Sequence, residues 1–192
     1  MQAGSRTIAL ADRVFPWPGI LRDAGLVIGF SFILALFARI AIYLPFTPVP
    51  ITGQTLGVLL TGAALGSRRG AASVTLYAAE GMAGLPVFAG GRHYLLWNSQ
   101  SGGFIVGFIV AAFLVGYLAE RGWDRGPWVL LAMLLGNVVI YLFGLPWLGL
   151  FIARNWLNLY NLIPGPDVLH KTLVGGLYPY ILGDLVKIYV AS

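Results

Sequence analysis

The chain has 192 residues, of which 58% are hydrophobic and only 10% are charged, and its mean hydropathy is +0.83. Because soluble domains contain about 25% charged residues, this composition predicts a protein whose surface lies mostly in a bilayer. The sequence has no cysteine, which excludes disulfides, thiolate metal sites and cysteine nucleophiles.

The net charge of +5 does not indicate nucleic-acid binding, because the basic residues occur in ones and twos between apolar segments. Residues 1–23 contain Arg6, Asp12, Arg13 and Arg22 and no continuous apolar core, so they do not resemble a cleavable signal peptide. We expect a cytoplasmic or interfacial N-terminal segment, followed by one transmembrane domain that makes residues 1–192 a single unit.

The apolar pattern predicts an all-α membrane protein, a bundle of six transmembrane helices. In chain order, the predicted segments are residues 24–44, 51–66, 70–85, 103–119, 128–147 and 173–191. The second and third are short for a bilayer of about 30 Å, so they are expected to be tilted or to cross only in part.

The distribution of positive charge predicts the orientation. With the N-terminus inside, the inner ends of the segments carry most of the arginines: Arg6, Arg13, Arg22, Arg68, Arg69, Arg121 and Arg125. The outer ends then carry only Arg92, Arg154 and Lys171. This imbalance predicts a multi-pass protein of the cell membrane with both termini cytoplasmic. It also places the loops at 45–50, 86–102 and 148–172 outside, where irregular backbone is typical of a cap over a solute site.

An acid and a base interrupt the last apolar segment. Asp184 and Lys187 lie three residues apart, so on a helix they share one face. Ionisable groups are costly in a membrane segment and usually have a partner or a ligand there. The pair suits a small polar solute that carries hydrogen-bond donors and an acid group. The alternative is that the two side chains only neutralise each other.

Other polar residues leave more than one interpretation open. Glu80 lies near the outer end of the third segment, where a carboxylate reaching the interface and a pocket-lining carboxylate are equally compatible with the sequence. Arg39 is better explained by contact with headgroups. Arg92 follows a glycine pair and suits a carboxylate, or is simply solvated.

A further group of candidates follows in the same outer loop. Trp97, Asn98 and Gln100 combine an aromatic surface with amide donors and acceptors, which suits a flat urea-like group. The two histidines, His93 and His170, lie in loops without metal-ligand spacing, so no metal site is predicted. No hydrolase, metalloprotease or nucleotide-binding motif is present, so we predict that the chain is not an enzyme and that any transport energy comes from an ion or a partner.

Several sequence blocks together resemble the BioY family, the biotin-specific substrate-binding (S) components of energy-coupling factor (ECF) transporters. The first is Leu-Pro-Phe-Thr-Pro-Val-Pro-Ile-Thr-Gly-Gln-Thr-Leu-Gly-Val-Leu-Leu at 44–60. The second is Gly-Met-Ala-Gly-Leu-Pro-Val-Phe-Ala-Gly-Gly at 81–91. Gly-Gly at 102–103, Gly-Leu-Pro-Trp-Leu at 144–148 and Gly-Asp-Leu-Val-Lys at 183–187 follow in the family's order.

The resemblance implies a six-helix fold that captures biotin near the outer face. Lys187 and Arg92 are then candidates for the valerate carboxylate, and Asp184, with Asn98 or Gln100, for the ureido ring. Trp97 and Tyr77 are expected to form the wall around the thiophane ring and the tail, with Gln54 and Thr55 as rim contacts.

The resemblance also implies partners, namely a transmembrane coupling protein and two cytoplasmic ATPases that use ATP, with no cofactor in this chain. The first helix carries small residues at four-residue spacing: Gly25 with Gly29, and Ser31 with Ala35. From spacing alone, internal packing and partner contact are equally compatible with them. The resemblance favours contact with the coupling protein.

Three other hypotheses compete with biotin capture. An S component for a different vitamin differs in which ligand stabilises the protein. An intramembrane enzyme predicts turnover that depends on Glu80 or a histidine, and it has no supporting motif. A purely structural bundle leaves Asp184 and Lys187 unexplained.

Overall fold

The described part of the chain is mostly helical. The structure, a computed structural model, describes residues 10–14, 16, 19–154, 159–181 and 183–184. Its α-helices are α1 (Leu10–Val14), α2 (Ile20–Arg39), α3 (Gln54–Leu65), α4 (Ser67–Met82), α5 (Gly102–Leu118), α6 (Trp128–Ala153), α7 (Leu159–Leu162) and α8 (Val168–Gly176). The predicted all-helical class is confirmed, and the six predicted segments correspond to α2–α6 and to α8 with the helical residues after it.

Three of the described helices are long and apolar enough to cross a membrane: Ile20–Arg39, Gly102–Trp123 and Trp128–Ala153. The third of these continues through Pro146, well past the predicted end at residue 147. The predicted second segment forms the shorter apolar helix α3, in agreement with its expected short span. These lengths make the chain a membrane protein in which helices of unequal length pack together.

The first long helix ends earlier than predicted. It stops at Arg39, and the chain then forms a short antiparallel pair, β1 (Ala41–Ile42) with β2 (Ile51–Thr52). The loop between the strands contains three prolines, which disfavour helical backbone in the residues before them. The pairing brings the loop at 45–50 back over the start of α3.

Helices α3 and α4 form a hairpin whose turn is the single residue Gly66, at φ 80°. Positive φ favours glycine, and the neighbouring α5 approaches this turn closely. A side chain at Gly116 of α5 would collide with the Gly66 backbone. The hairpin therefore packs on α5 through backbone contact.

The last predicted segment is interrupted. Helix α8 ends at Gly176, Leu177 has φ −128° and ψ −62°, and residues 178–181 and 183–184 are again helical. The predicted segment from residue 173 therefore combines the end of α8 with a second helical stretch. The break turns that stretch toward the interior of the bundle, where it contributes two buried polar side chains, Tyr180 and Asp184.

The short helix α1 is held to the bundle by charge. The carboxylates of Asp12 and Asp23 each form ion pairs with both Arg22 and Arg69, at distances that include 2.9 Å for Arg22–Asp12 and 3.1 Å for Arg69–Asp23. The hydrogen bond from Arg69 holds the pKa of the Asp12 carboxyl below its usual value. Part of the predicted interfacial N-terminal segment is therefore attached to α2 and α4.

Candidate binding site in the bundle

A cavity that is partly open to the outside lies at the end of the bundle opposite the Gly66 turn. Most of its lining is apolar or aromatic. Its described lining residues are Val49, Pro50, Thr52, Gln54, Thr55, Ala89, Tyr94, Ser101, Phe104, Ile105, Phe108, Ile140, Tyr141, Gly176, Tyr180 and Asp184.

Asp184 is the one charged residue among the described lining residues, and it is only 4% exposed. The Tyr141 hydroxyl donates a hydrogen bond to its Oδ2, and the Thr55 hydroxyl lies 3.5 Å from its Oδ1. A buried carboxylate requires such donors, because an unpaired charge away from water is strongly unfavourable. The wall thus presents a fixed hydrogen-bond acceptor to the cavity.

Tyr180, four residues before Asp184, connects the cavity wall to the loop at 45–50. Its hydroxyl donates to the Val49 carbonyl and lies 3.2 Å from the Thr47 hydroxyl, which in turn bonds the Gly175 carbonyl. These groups are buried, so each needs its partner. The hydroxyl bonds hold the proline-rich loop against the end of α8.

Gln54 is the first residue of α3, and hydrogen bonds to neighbouring side chains fix its amide. Its Oε1 accepts from the Thr52 hydroxyl at 3.0 Å, and its Nε2 donates to the Tyr77 hydroxyl at 2.6 Å. Tyr77 itself donates to the Val87 carbonyl and is fully buried. Tyr77 was predicted to line the site. The structure places it outside the described cavity lining, where its hydroxyl accepts the hydrogen bond from Gln54 and positions that amide.

The loop between α4 and α5 covers the cavity. Phe88 is fully buried, with its ring centroid 4.6 Å from that of Tyr94 and 5.5 Å from that of Tyr77. This packing directs Ala89 and Tyr94 to the cavity. Gln100 donates to the Pro48 carbonyl at 3.0 Å, which fastens this loop to the loop at 45–50.

The other predicted loop residues lie on the outer surface. Arg92 is exposed, with its guanidinium carbon 5.0 Å from the centroid of the Tyr43 ring. Trp97 is 56% exposed, and Asn98 is exposed beside it. None of the three lines the described part of the cavity. The physical reason is the anchoring of the loop by Phe88 and Tyr94, which leaves the side chains of these three residues on the outside. Lys187 lies outside the described residues.

The small residues of α2 do not form one stripe. Gly25 and Gly29 are exposed, whereas Ser31 is fully buried and donates to Glu80 Oε1 at 3.1 Å. Residues two apart on a helix lie about 200° apart, so Ser31 faces α4 while Gly29 faces outward. The prediction that Ser31 contacts a partner on the same surface as Gly25 and Gly29 is therefore corrected, because Ser31 is buried inside the bundle. The hydrogen bond from Ser31 also places the Glu80 carboxylate inside the bundle, against α2.

Tyr141, Tyr180 and Thr47 are polar residues of the site that sequence reasoning missed. The spacing of Tyr180 and Asp184 offered a signal, since residues four apart share a helix face. In the described part of the chain, no group of three acidic or histidine residues is placed to hold a metal. The described lining offers a ligand one carboxylate, several hydroxyls and aromatic surface.

Fold and cavity together define a membrane-embedded helical protein with a partly open, mostly apolar cavity that carries one buried carboxylate. Comparison with known proteins then gives its family. The BioY family model matches residues 7–192, and the chain therefore belongs to the BioY family.

Named relatives agree with this assignment. The chain is 41% identical to the biotin transporter BioY of Rhizobium etli over 84% of each chain. It is 38% identical to the biotin transporter BioY of Rhodobacter capsulatus, covering 83% of this chain and 87% of that one. These names confirm the prediction of a transporter family and not an enzyme family.

A solved structure is also similar. It is the S-component for biotin from an ECF-type ABC transporter, with a TM-score of 0.70 and 25% identity, covering 89% of this chain and 87% of that one. The similarity confirms the predicted S-component fold.

Proposed function

We propose that this chain captures biotin in the cavity described above and serves as the substrate-binding component of an ECF transporter. The observation that carries the proposal is the buried Asp184 carboxylate, held by Tyr141 in a mostly aromatic and apolar wall, in a member of the BioY family.

The ureido ring of biotin matches the polar end of this cavity. It carries two N–H donors and one carbonyl, and Asp184 supplies acceptor oxygens. Gln54 uses one N–H of its amide on Tyr77, so its second N–H is available for the ureido carbonyl. Because Tyr77 and Thr52 fix the amide, this donor is already oriented before the ligand enters.

The thiophane ring and valerate tail match the apolar wall. Phe104, Phe108 and Tyr94 supply the aromatic surface. Each buried methylene of the tail contributes about 0.8 kcal/mol. Trp97 and Asn98 then belong to the outer rim, and Gln100 to the fastening of the two loops.

Two basic residues are candidates to pair with the valerate carboxylate. Lys187 follows Asp184 by three residues, which is the helical spacing for a shared face. Arg92 lies on the loop that covers the cavity, three residues after the lining residue Ala89. We propose Lys187 as the principal partner and Arg92 as a contact at the entrance.

The same proposal covers topology and partners. The arginine distribution supports a multi-pass protein with both termini cytoplasmic. A transmembrane coupling protein and two ATPases then supply the energy of transport from ATP, with no cofactor in this chain. Exposed Gly25 and Gly29 on α2 offer a surface on which another helix can approach closely, whereas Ala35 lies on the side of Ser31 and packs against the core.

Calorimetric titration of biotin into the detergent-purified protein tests the proposal. We expect tight binding, a large loss in Asp184→Asn and Lys187→Ala, and a loss of about tenfold or more in Tyr141→Phe, because hydrogen bonds to charged groups contribute about 1.5–3 kcal/mol. Asp124→Asn is the matched control, a carboxylate outside the described lining of the cavity.

Unchanged affinity in Asp184→Asn would contradict the assignment of the site. Absence of biotin binding by a folded sample would contradict the ligand, and a vitamin panel read by thermal stabilisation would then identify the alternative.

A further inference from the structure

A second cleft lies at the opposite end of the bundle, near the arginine-rich turns. It is lined by Ser67, Arg68, Phe113, Tyr117, Glu120 and Arg121. It is formed where the start of α4 meets the end of α5. None of these residues contributes to the biotin cavity.

Two guanidinium groups face this cleft. Arg121 lies in a π-helical turn, Ala119–Trp123, and its guanidinium carbon is 3.6 Å from the centroid of the Tyr117 ring. Arg68 is exposed on the other side. Among the residues that the structure describes, neither arginine forms an ion pair with a carboxylate. Both are therefore available to an anion.

The carboxylate in the cleft is already engaged. Glu120 Oε1 accepts hydrogen bonds from the Ser67 backbone N–H at 2.7 Å and from the Ser67 hydroxyl at 2.9 Å. It caps the start of α4, which has no cap from its own side chains. With one carboxylate and two arginines, the cleft retains a net positive charge. This charge is complementary to the single negative charge of a phosphodiester.

The cleft continues into an exposed aromatic surface. Phe113 is 48% exposed and Tyr117 is 38% exposed, and their rings are stacked at 6.3 Å with an interplanar angle of 16°. Both belong to α5, one of the membrane-crossing helices. Aromatic rings and arginines at the end of a spanning helix are typical of headgroup depth.

We propose that this cleft binds an anionic phospholipid, with its phosphate between Arg68 and Arg121 and an acyl chain along Phe113 and Tyr117. The charge selects the headgroup class, and the adjoining apolar surface selects a lipid over a free phosphate. The proposal does not depend on which solute fills the other cavity.

Native mass spectrometry of the detergent-purified chain provides the test. Dioleoyl phosphatidylglycerol and dioleoyl phosphatidylcholine are titrated separately, and sn-glycerol 3-phosphate is the soluble competitor. The variants are Arg68→Gln with Arg121→Gln, and Arg125→Gln as the control, an arginine of the next turn whose side chain is 66% exposed.

We expect phosphatidylglycerol to bind at least about tenfold more tightly than phosphatidylcholine. Each arginine that hydrogen-bonds the phosphate directly contributes about tenfold, so the double variant is expected to lose about 100-fold of the phosphatidylglycerol affinity. The control is expected to stay within about twofold of the parent, and glycerol phosphate not to compete.

Equal affinities for the two lipids, or an equal loss in Arg125→Gln, would overturn the proposal. Full competition by glycerol phosphate would assign the cleft to free phosphate. A cooperative thermal transition establishes that the double variant is folded. If it is not, Arg68→Lys with Arg121→Lys keeps both charges and must keep the preference for phosphatidylglycerol.

Discussion

Gly81 lies beneath the loop that covers the cavity lined by Asp184, and replacing it with alanine tests how that loop is held. A Cβ at this position would come within 3.0 Å of three ring carbons of Phe88, closer than real Cβ atoms approach. The Phe88 ring has little room to withdraw, because it is fully buried between Tyr77 and Tyr94. The loop backbone must therefore move with the ring.

The expected magnitude follows from overpacking. Inserting a methyl group into a filled core costs about 1–3 kcal/mol, which we expect as a loss of unfolding free energy. If the loop relieves this strain by moving outward, a bound ligand must restore the original position of Ala89 and Tyr94. Biotin affinity is then expected to fall by about 5- to 150-fold, since 1.4 kcal/mol corresponds to tenfold.

Calorimetry with biotin and a thermal unfolding curve measure both quantities. Gly19→Ala is the matched control, because a methyl group there meets nothing within 4 Å. Adding Phe88→Leu to Gly81→Ala removes the far edge of the ring and should recover part of the affinity. Parental stability and affinity in Gly81→Ala would refute the view that Phe88 holds the loop.

Two predictions concern the opposite end of the bundle. Because Arg69 lowers the pKa of Asp12, this group stabilises the fold fully above its ordinary value and loses that contribution as the pH falls through the folded-state pKa. The thermal midpoint of the parent should therefore converge on that of Asp12→Asn below about pH 4, and a constant difference would contradict the ion-pair assignment. Glu120→Ala should lower the unfolding free energy by about 0.5–2 kcal/mol through loss of the cap at Ser67, with biotin affinity unchanged in calorimetry; an equal loss of stability in Asp124→Ala would show that the cap is not the cause.

Helix content was predictable because apolar segments of sufficient length leave few alternatives in a bilayer. Asp184 was predictable as a polar residue of the interior for the same reason, since a carboxylate in such a segment is costly. Tyr141 and Tyr180 were not found, because a tyrosine in an apolar segment carries no comparable cost. The fold shows their role, because it brings the Asp184 carboxylate to the Tyr141 hydroxyl and the Val49 carbonyl to the Tyr180 hydroxyl.

Loop side chains were predicted less well, and the reason is long-range packing. Trp97 and Asn98 have suitable chemistry for a site, but Phe88 and Tyr94 decide which side of the loop faces the cavity. Those contacts depend on α4 and cannot be read from the loop sequence. The early end of α2 at Arg39 has a similar origin, because β1 finds its partner about ten residues later.

The one-residue turn at Gly66 fixes the rotational phase of α4 relative to α3. An α-helix advances about 100° per residue, so a single residue inserted into the first turn of α4 would rotate the rest of that helix by more than a quarter turn relative to α3. Tyr77 would leave the amide of Gln54, and the far end of the hairpin would lose the group that orients a donor of the binding site. The number of residues at this end of the hairpin thus determines whether Tyr77 can position the Gln54 amide at the other end of the bundle. We expect length variation in sequences of this fold to occur in the loops around the cavity instead.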